Sequence, residues 1–413
     1  MTSPLGSPLG RGLGRGRGRE RWLVALTEYA GVTEYTGGIG TQFAALLPAL
    51  VRAGVDVDLL VFAEGAGHSE VPLDGVRLLA VHRTRRTVLS LWRRARAVRA
   101  AYVGGEYACV FLPEWAALGA ALPRTAPLVT NLVTSTRLAH EASGLRLRDL
   151  PFSERIIAAA QSALESRQIR RSAGLVAIST AMLQWTRHRF RHLPPAVIVP
   201  NCVDVERVRD DSRGPAPAGW PQDDGPVLLF LGRAERRKGV VDAVAAYARV
   251  HQDFPTARLV LAGAGGDARF EPTRSALMAT LPPTARERVT WLGHVPGAGV
   301  AAAIREAAVV LCPSRWEGFG NVALEVKAVG APLIVTSGSG FDDFCTDGED
   351  CLMVSPEDPA ALADAVRRML ENTSLAGDLA AEATTRVEAF DPERVAAALR
   401  AAVVDLVHRS GAG

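Results

Sequence analysis

Short apolar runs of strand length alternate with helical stretches along this chain, and the series occurs twice. Parallel strands need a long crossover connection, usually a helix, so this alternation is typical of parallel β-sheets. In the first half of the chain, strands are predicted at Trp22–Leu26, Val55–Phe62, Arg77–Val81, Ala108–Leu112, Leu128–Asn131, Leu175–Ile178 and Val197–Val199.

The series restarts after Arg209–Gly225, a polar stretch rich in Pro, Gly and Asp that is typical of a linker. A chain of 413 residues is too long for one hydrophobic core and suits two. We therefore predict an α/β protein with two doubly wound, Rossmann-like domains and a ligand cleft between them, at the carboxyl ends of the strands. The second set of strands is predicted at Val227–Leu231, Arg258–Ala262, Val289–Leu292, Val309–Cys312 and Leu333–Val335.

The predicted domain boundaries follow from these two series. Residues 21–204 form the first domain, 205–225 the linker and 226–390 the second domain. A last helix, 391–413, either closes the second domain or crosses back over the hinge to the first. Residues 1–20 are broken by Pro and Gly and carry a Gly-Arg repeat, so a disordered tail is expected there.

Composition argues against several functions. The net charge of +3 is small and lies partly in the tail, so no nucleic-acid surface is predicted. The absence of an apolar run of about 18 residues argues against a membrane span. The five cysteines form no C-x-x-C pair. We therefore predict neither a disulfide framework nor a metal site, and we expect a cytoplasmic location.

The strongest candidate site lies between Pro313 and Glu325, where a predicted strand ends and a glycine-flanked loop leads into a helix. Free N–H groups and the positive end of a helix dipole favour an anion there. Glu317 lies just ahead of the helix and Glu325 about four residues inside it, roughly 6 Å further along. The two carboxylates suit the hydroxyl groups of a sugar nucleotide. The alternative, a capping Glu317 and a solvated Glu325, explains less of the segment.

A second candidate loop follows the first strand of the second domain and carries cations. Of the 47 lysines and arginines, only Lys238 and Lys327 are lysines, so arginine is the default cation of this chain. A lysine beside a glycine at a helix start suits the stabilisation of a departing diphosphate. We predict functional roles for Arg233 and Lys238. The adjacent Arg236 and Arg237 are predicted to form a solvated turn.

In this order and spacing, the segments resemble glycosyltransferase family 4, the retaining glycosyltransferases with the GT-B fold. The resemblance covers roughly residues 22–400. It implies an NDP-sugar donor, a hydroxyl acceptor that is not identified, retention of configuration, and no metal or other cofactor. The matching pieces are Gly37–Ile39, Val199–Asp204, Gly232-Arg233 with Lys238-Gly239, Gly263–Gly265, Leu292–Val295 and Glu317–Glu325.

The resemblance also implies roles for single residues. Arg233 and Lys238 would bind the donor diphosphate, Glu325 its ribose, and Glu317 the transferred sugar. A phosphate oxygen of the donor would take the acceptor proton, so Glu317 would position the sugar and not act as nucleophile. The implied catalytic residues are Arg233, Lys238 and Glu317, and the implied donor-binding residues are Gly38, Asn131, Gly232, His294, Val295, Gly318, Phe319, Gly320, Asn321 and Glu325.

The chain departs from the family pattern at four positions. Asn131 stands where the family often has a histidine that touches the sugar; it can still donate a hydrogen bond but does not titrate near neutral pH. Cys202 and Cys351 replace expected glycines, which would strain a backbone with positive φ. Lys327 replaces an apolar residue, either as a snorkelling side chain or as a contact peculiar to this protein.

The basic stretch His82–Arg99 leaves two interpretations open. Leu91, Trp92, Ala95, Val98 and Tyr102 have helical spacing. A helix that packs on the sheet with a solvated arginine face is favoured, since such helices are routine in this fold. The alternative is a helix that docks on an anionic membrane.

Two rival functions also stay open. One is another enzyme on the same scaffold, a nucleotide-sugar epimerase or a phosphorylase. The other is a partner protein that keeps the cleft without turnover, which the departures at Asn131, Cys202 and Cys351 suggest. The presence of Arg233, Lys238, Glu317 and Glu325 argues against it.

Overall fold

The structure is a computed structural model that describes residues 19–34, 36–64, 73–85 and 87–411. The tail predicted at residues 1–20 lies outside the described residues except for its last two. Of these, Glu20 already begins the first strand.

Within the described residues, the first sheet contains seven parallel strands in the order β3-β2-β1-β4-β5-β6-β7. The order reverses between β1 and β4, and ligands of such sheets bind at this switch point, outside the carboxyl ends of the strands. The strands are β1 (Glu20–Leu26), β2 (Val55–Ala63), β3 (Arg77–Arg83), β4 (Cys109–Pro113), β5 (Leu128–Leu132), β6 (Gly174–Ala177) and β7 (Ala196–Ile198).

Helices cover both faces of this sheet. Several begin at a Ser or Thr whose side chain accepts a hydrogen bond from a backbone N–H of the first turn, as Thr87, Ser135 and Ser179 do. The helices are α1 (Gly38–Arg52), α2 (Val88–Val103), α3 (Thr136–Ala142), α4 (Phe152–Arg171) and α5 (Thr180–Arg189).

The second sheet repeats the topology with six parallel strands in the order β10-β9-β8-β11-β12-β13. Its central strands are apolar throughout because helices bury both faces. The strands are β8 (Val227–Leu231), β9 (Arg258–Ala262), β10 (Val289–Gly293), β11 (Val309–Cys312), β12 (Leu333–Thr336) and β13 (Leu352–Val354). The remaining helices are α6 (Val205–Ser212), α7 (Val240–Asp253), α8 (Arg274–Ala279), α9 (Pro283–Arg286), α10 (Gly297–Glu306), α11 (Asn321–Val329), α12 (Pro359–Glu371), α13 (Thr373–Arg386) and α14 (Pro392–Gly411).

The segment between the two sheets is more ordered than its composition predicts. The sequence predicts a linker over 205–225, but its first part forms helix α6, which the Asp204 side chain caps. α6 packs against α10 and α11, and Val205 is buried. The Arg209 side chain donates to the Ala328 carbonyl oxygen over 3.1 Å. The segment therefore forms a helix that buries one side against the second domain, although most of its side chains are polar.

The last helix, α14, packs on the first domain. Val395, Leu399 and Val403 are buried in the same cluster as the apolar face of α1. Arg400 donates to the Ala53 carbonyl oxygen over 2.8 Å and forms an ion pair with Glu20. The chain therefore leaves the second domain and returns to the first. In the described ranges, no helix has the length and apolar character needed to cross a bilayer.

Candidate active site

The loop between β11 and α11, residues 313–320, joins a strand end to a helix start, as the sequence predicts. β11 ends at Cys312 and α11 begins at Asn321. Gly320 has a φ of 110°, and a Cβ there would lie 2.3 Å from the Phe341 ring. Only glycine is compatible with that conformation and that contact. The predicted strand, loop and helix are confirmed.

The loop after β8 carries the cations and lies against the β11–α11 loop. Gly239 has a φ of 76°, and a Cβ there would lie 1.8 Å from the Pro313 carbonyl oxygen. The backbone N–H of Arg315 donates to the Arg237 carbonyl oxygen over 2.8 Å. These contacts hold Lys238 beside the β11–α11 loop.

Lys238 and Glu317 meet between the two loops. The Nζ atom of Lys238 lies 2.5 Å from Oε2 of Glu317. The Ser314 hydroxyl donates to the same carboxylate oxygen over 3.1 Å. The sequence predicts functional roles for Lys238 and Glu317 but not their mutual contact, and it assigns no role to Ser314.

The neighbours of Glu317 keep it ionised. Burial would raise the pKa of this carboxyl, but the charges of Lys238 and Arg237, with hydrogen bonds from Lys238 and Ser314, hold the pKa below its usual range. An ionised carboxylate accepts hydrogen bonds and does not donate a proton near neutral pH. Glu317 is therefore suited to hold hydroxyl groups.

Two arginines of the β8 loop are oriented by Glu235. The guanidinium of Arg233 is 3.0 Å from Glu235, and half of its side chain is exposed. Arg237, for which the sequence predicts a solvated turn, is mostly buried and lies 3.4 Å from the same carboxylate. The prediction for Arg237 is wrong because its side chain packs in the loop and is only 18% exposed, whereas Arg236 is exposed.

Glu325 lies in the second turn of α11, without a hydrogen-bond partner in the described part of the chain. Desolvation raises the pKa of its carboxyl to about 7, with Arg207 opposing that effect. A partly buried carboxyl that no protein group satisfies is available to donors on a ligand.

The other predicted donor-site residues of the second domain surround these loops. Gly232 follows β8, and its Cα faces the Lys238 side chain. The Phe319 side chain stacks on Phe344 at 4.8 Å, so Phe319 offers only its backbone to a ligand. After β10, His294 is exposed, whereas Val295 is buried in the core.

The glycine loop of the first domain reaches α11 through Gly38. The Asn321 side chain donates to the Gly38 carbonyl oxygen over 3.2 Å. The N–H groups of Gly37 and Gly40 donate to the Glu28 carboxylate over 3.0 and 2.9 Å. Glu28 thus satisfies two of the donors that this loop would otherwise present to an anion.

The sequence does not predict the further contacts between the domains. The Ser179 hydroxyl, which also caps α5, donates to the Gly318 carbonyl oxygen over 2.6 Å. The Asn201 side chain donates to Oδ1 of Asn321 over 2.7 Å. A Cβ at Gly318 would lie 3.2 Å from the Val133 carbonyl oxygen. The first domain therefore touches the β11–α11 loop directly.

Among the described residues, no hydrogen bond joins the Asn131 side chain to the β11–α11 loop, and its predicted role in donor binding stays a prediction. Its side chain is buried and donates to the Val176 carbonyl oxygen over 3.0 Å. It lines a small cavity with Gln42, Leu399 and Asn201, and Asn201 in turn contacts Asn321 of α11. Side chains alternate between the faces of a strand, and Asn131 points to the helix-covered face. Beyond the strand end, the backbone of Val133 lies against the β11–α11 loop instead.

Lys327, where the family pattern has an apolar residue, forms a buried ion pair. Lys327 is 1% exposed, and its Nζ atom lies 2.8 Å from Oδ2 of Asp350 and 2.5 Å from the Phe344 carbonyl oxygen. The snorkelling interpretation is therefore wrong. The pair ties α11 to the loop before β13.

The two cysteine departures cause no backbone strain. Neither Cys202 nor Cys351 has a positive φ, since the positive-φ residues other than glycine in the described ranges are Asp74, Ala116, Ala117 and Glu357. Cys345, Asp350 and Cys351 place polar atoms within 4.8 Å of one another. A cation there would face the Lys327 ammonium, so this group is poorly suited to hold a metal.

Comparison with known proteins shows the family of this chain. Residues 36–207 match the family described as Glycosyltransferase Family 4, and residues 225–372 match Glycosyl transferases group 1. The chain belongs to glycosyltransferase family 4. The predicted two-domain GT-B fold is confirmed as well.

Two relatives of this family 4 chain are mycobacterial. The glycogen synthase of Mycobacterium tuberculosis is 31% identical over 238 residues, which are 57% of this chain and 55% of the relative. The phosphatidyl-myo-inositol mannosyltransferase of Mycobacterium leprae is 30% identical over 64% of this chain and 63% of the relative. The chain thus spans between about half and two thirds of the length of these relatives.

A solved structure shares the fold of this family 4 chain. It is Alr3699/HepE of Anabaena in complex with UDP and glucose, with a TM-score of 0.68 and 17% sequence identity. The match covers 93% of this chain and 99% of that protein.

Proposed function

We propose that this protein is a retaining glycosyltransferase that moves a hexose from an NDP-sugar donor to a hydroxyl group of an acceptor. The observation that carries the proposal is the meeting of Lys238 with Glu317 at the end of β11, with the unpartnered Glu325 in the next turn of α11. A cation and two carboxylates at a helix start match the diphosphate, the sugar hydroxyls and the ribose of such a donor. The names of the two relatives and the UDP and glucose bound to the Anabaena protein support the same donor class.

In the proposed reaction, the acceptor hydroxyl attacks the anomeric carbon while the bond to the diphosphate oxygen breaks. The proton passes to the departing phosphate oxygen on the same face. Lys238 and Arg233 stabilise the negative charge that develops on the diphosphate. Ionised Glu317 accepts hydrogen bonds from the sugar and fixes its position.

A thermal-shift screen with UDP, GDP, ADP and dTDP tests the donor class. A nucleotide at about 100 times its dissociation constant stabilises the folded protein by ~2.7 kcal/mol. We expect one of these nucleotides to raise the melting temperature and Glu325→Gln to reduce the shift. No shift with any of them would contradict the proposal. Incubation with the donor alone distinguishes an epimerase or phosphorylase, which needs no acceptor alcohol.

The raised pKa of Glu325 predicts pH-dependent nucleotide binding. Ribose hydroxyls that donate to Glu325 favour the charged carboxylate, so binding lowers its pKa from the free value of about 7. Nucleotide affinity is therefore highest above pH 7. Below that pH it weakens, and the loss approaches about tenfold per pH unit. Isothermal titration calorimetry between about pH 5.5 and 8 compares how nucleotide affinity depends on pH in the wild type and in Glu325→Gln. We expect the two proteins to differ by about one titrating group. Titration of the nucleotide phosphate is common to both proteins. Equal slopes would contradict the assignment.

The contact of Ser179 with Gly318 predicts a role for the first domain in donor binding. Ser179→Ala removes a buried hydrogen bond to the β11–α11 loop, so we expect the donor KM to rise about fivefold, with a smaller change in kcat. The variant also loses the α5 cap, which costs about 1 kcal/mol of folding stability. Ser179→Thr keeps the hydroxyl, and with it both the cap and the contact with Gly318, so it should keep the wild-type donor KM. Steady-state kinetics in which Ser179→Ala keeps the wild-type donor KM would show that the contact is only structural.

A further inference from the structure

The first domain exposes large apolar side chains at the amino-terminal ends of α2 and α4. On α2, Leu89 is 56% and Trp92 is 41% exposed. On and before α4, Phe152 is 73%, Ile156 is 46% and Leu147 is 44% exposed. We call these five residues the α2–α4 surface. Clustered exposed apolar residues mark interaction sites more often than chance exposure.

The five residues lie at one end of the domain. α2 and α4 pack against each other and against residues 115–117. A crossover helix runs antiparallel to the strands it connects, so both helices begin at the carboxyl edge of the first sheet. Both groups of exposed side chains therefore lie towards the same edge of the first sheet, the edge that faces the interdomain cleft.

The exposure of Trp92 corrects the sequence-based expectation for α2. Leu91, Ala95 and Val98 are buried against the sheet, as the favoured interpretation predicts. Trp92 lies at the side of this face, next to the side that carries Leu89, three residues earlier. α2 thus has one face that the fold buries and a second apolar edge that it leaves uncovered.

Unneutralised arginines surround this edge. The sequence has no Asp or Glu between Asp74 and Glu106, a stretch with eight arginines. On α2, Arg93, Arg96 and Arg99 are exposed and have no carboxylate partner in the described ranges.

The carboxylates nearest to the surface are already paired. Glu64 pairs with Arg94, and Asp149 with Arg148. Glu154 pairs with Arg269 of the second domain. The α2–α4 surface therefore combines exposed apolar side chains with a net excess of positive charge.

We propose that the α2–α4 surface docks on an anionic phospholipid bilayer. The apolar side chains enter the boundary between headgroups and acyl chains, and the arginines contact lipid phosphates. A second copy of this chain is a poorer occupant, because a two-fold contact would bring the same arginines face to face.

Co-sedimentation of the full-length protein with vesicles tests the proposal. We expect binding to vesicles of phosphatidylcholine and phosphatidylglycerol in equal parts, loss of binding at high salt, and no binding to phosphatidylcholine alone. Trp92→Ser/Phe152→Ser should weaken binding about tenfold. Arg93→Gln/Arg96→Gln should weaken it roughly fivefold per arginine.

Matched variants elsewhere on the first domain serve as controls. Ile198→Ser changes a side chain of β7 that is 43% exposed, and Arg187→Gln/Arg191→Gln removes two exposed arginines, one near the end of α5 and one just after it. Both should bind vesicles like the wild type. Residues 1–18, which include several arginines, are present in every variant. Differences in vesicle binding between variants therefore arise from the α2–α4 surface.

Three outcomes would overturn the proposal. One is no binding to anionic vesicles at low salt. Another is equal loss in the control and surface variants. The third is self-association in light scattering that Trp92→Ser/Phe152→Ser abolishes while vesicles stay unbound, which would make the surface a contact between copies.

Discussion

Replacing Lys238 with alanine is expected to lower turnover by about 10²-fold or more. Lys238 is the cation nearest to Glu317, at 2.5 Å, and it would stabilise the diphosphate as its bond to the sugar breaks. An interaction made mainly in the transition state affects kcat as well as kcat/KM. Steady-state nucleotide release, with the donor found by the thermal-shift screen, measures the effect.

Arg236→Ala is the matched control for that variant. Arg236 lies on the same loop but is exposed, and its backbone N–H, which the substitution keeps, donates to Glu271. We expect turnover within about threefold of the wild type, as for a surface residue outside the site. A loss below about threefold for Lys238→Ala, with an unchanged melting temperature, would refute its role.

Replacing Lys327 with methionine is expected to lower the free energy of unfolding by about 3–5 kcal/mol. Lys327 and Asp350 are 1% and 0% exposed, so the substitution leaves a buried carboxylate without its ammonium partner. Arg386, 3.7 Å from Asp350, compensates only in part because it is partly exposed and also paired with Glu349 and Glu382. Urea unfolding followed by tryptophan fluorescence measures the loss.

The double variant Lys327→Met/Asp350→Asn should recover most of that stability. It removes both buried charges, and the amide oxygen that it introduces can still accept the hydrogen bond that the Thr346 N–H donates to Asp350 over 2.9 Å. Arg409→Ala breaks an exposed pair with Asp405 and should change stability by no more than about 0.5 kcal/mol. Equal effects of Lys327→Met and Arg409→Ala would show that the buried pair contributes nothing special.

The fold could be predicted from the sequence because buried parallel strands leave a plain apolar signature. The predicted and observed bounds of Val227–Leu231 and Val309–Cys312 are the same. The sequence did not predict the elements that bury few apolar side chains. The polar stretch after Asp204 hides helix α6, and β13 is too short to stand out.

The candidate site was predictable as far as it is local. The succession of a strand, a loop and a helix places Glu317 and Glu325 on either side of the same helix start. Contacts between distant segments are not encoded in that pattern. The approach of Ser179 to Gly318 depends on how the two sheets are placed, and the side to which Asn131 points depends on strand register.

A crystal structure with a bound, non-hydrolysable NDP-sugar analogue tests the central claim most directly. We expect the Lys238 ammonium within hydrogen-bond distance of the diphosphate, Glu317 on the sugar hydroxyls and Glu325 on the ribose. An analogue bound elsewhere, with Lys238 still paired to Glu317 and Glu325 turned to solvent, would contradict the account.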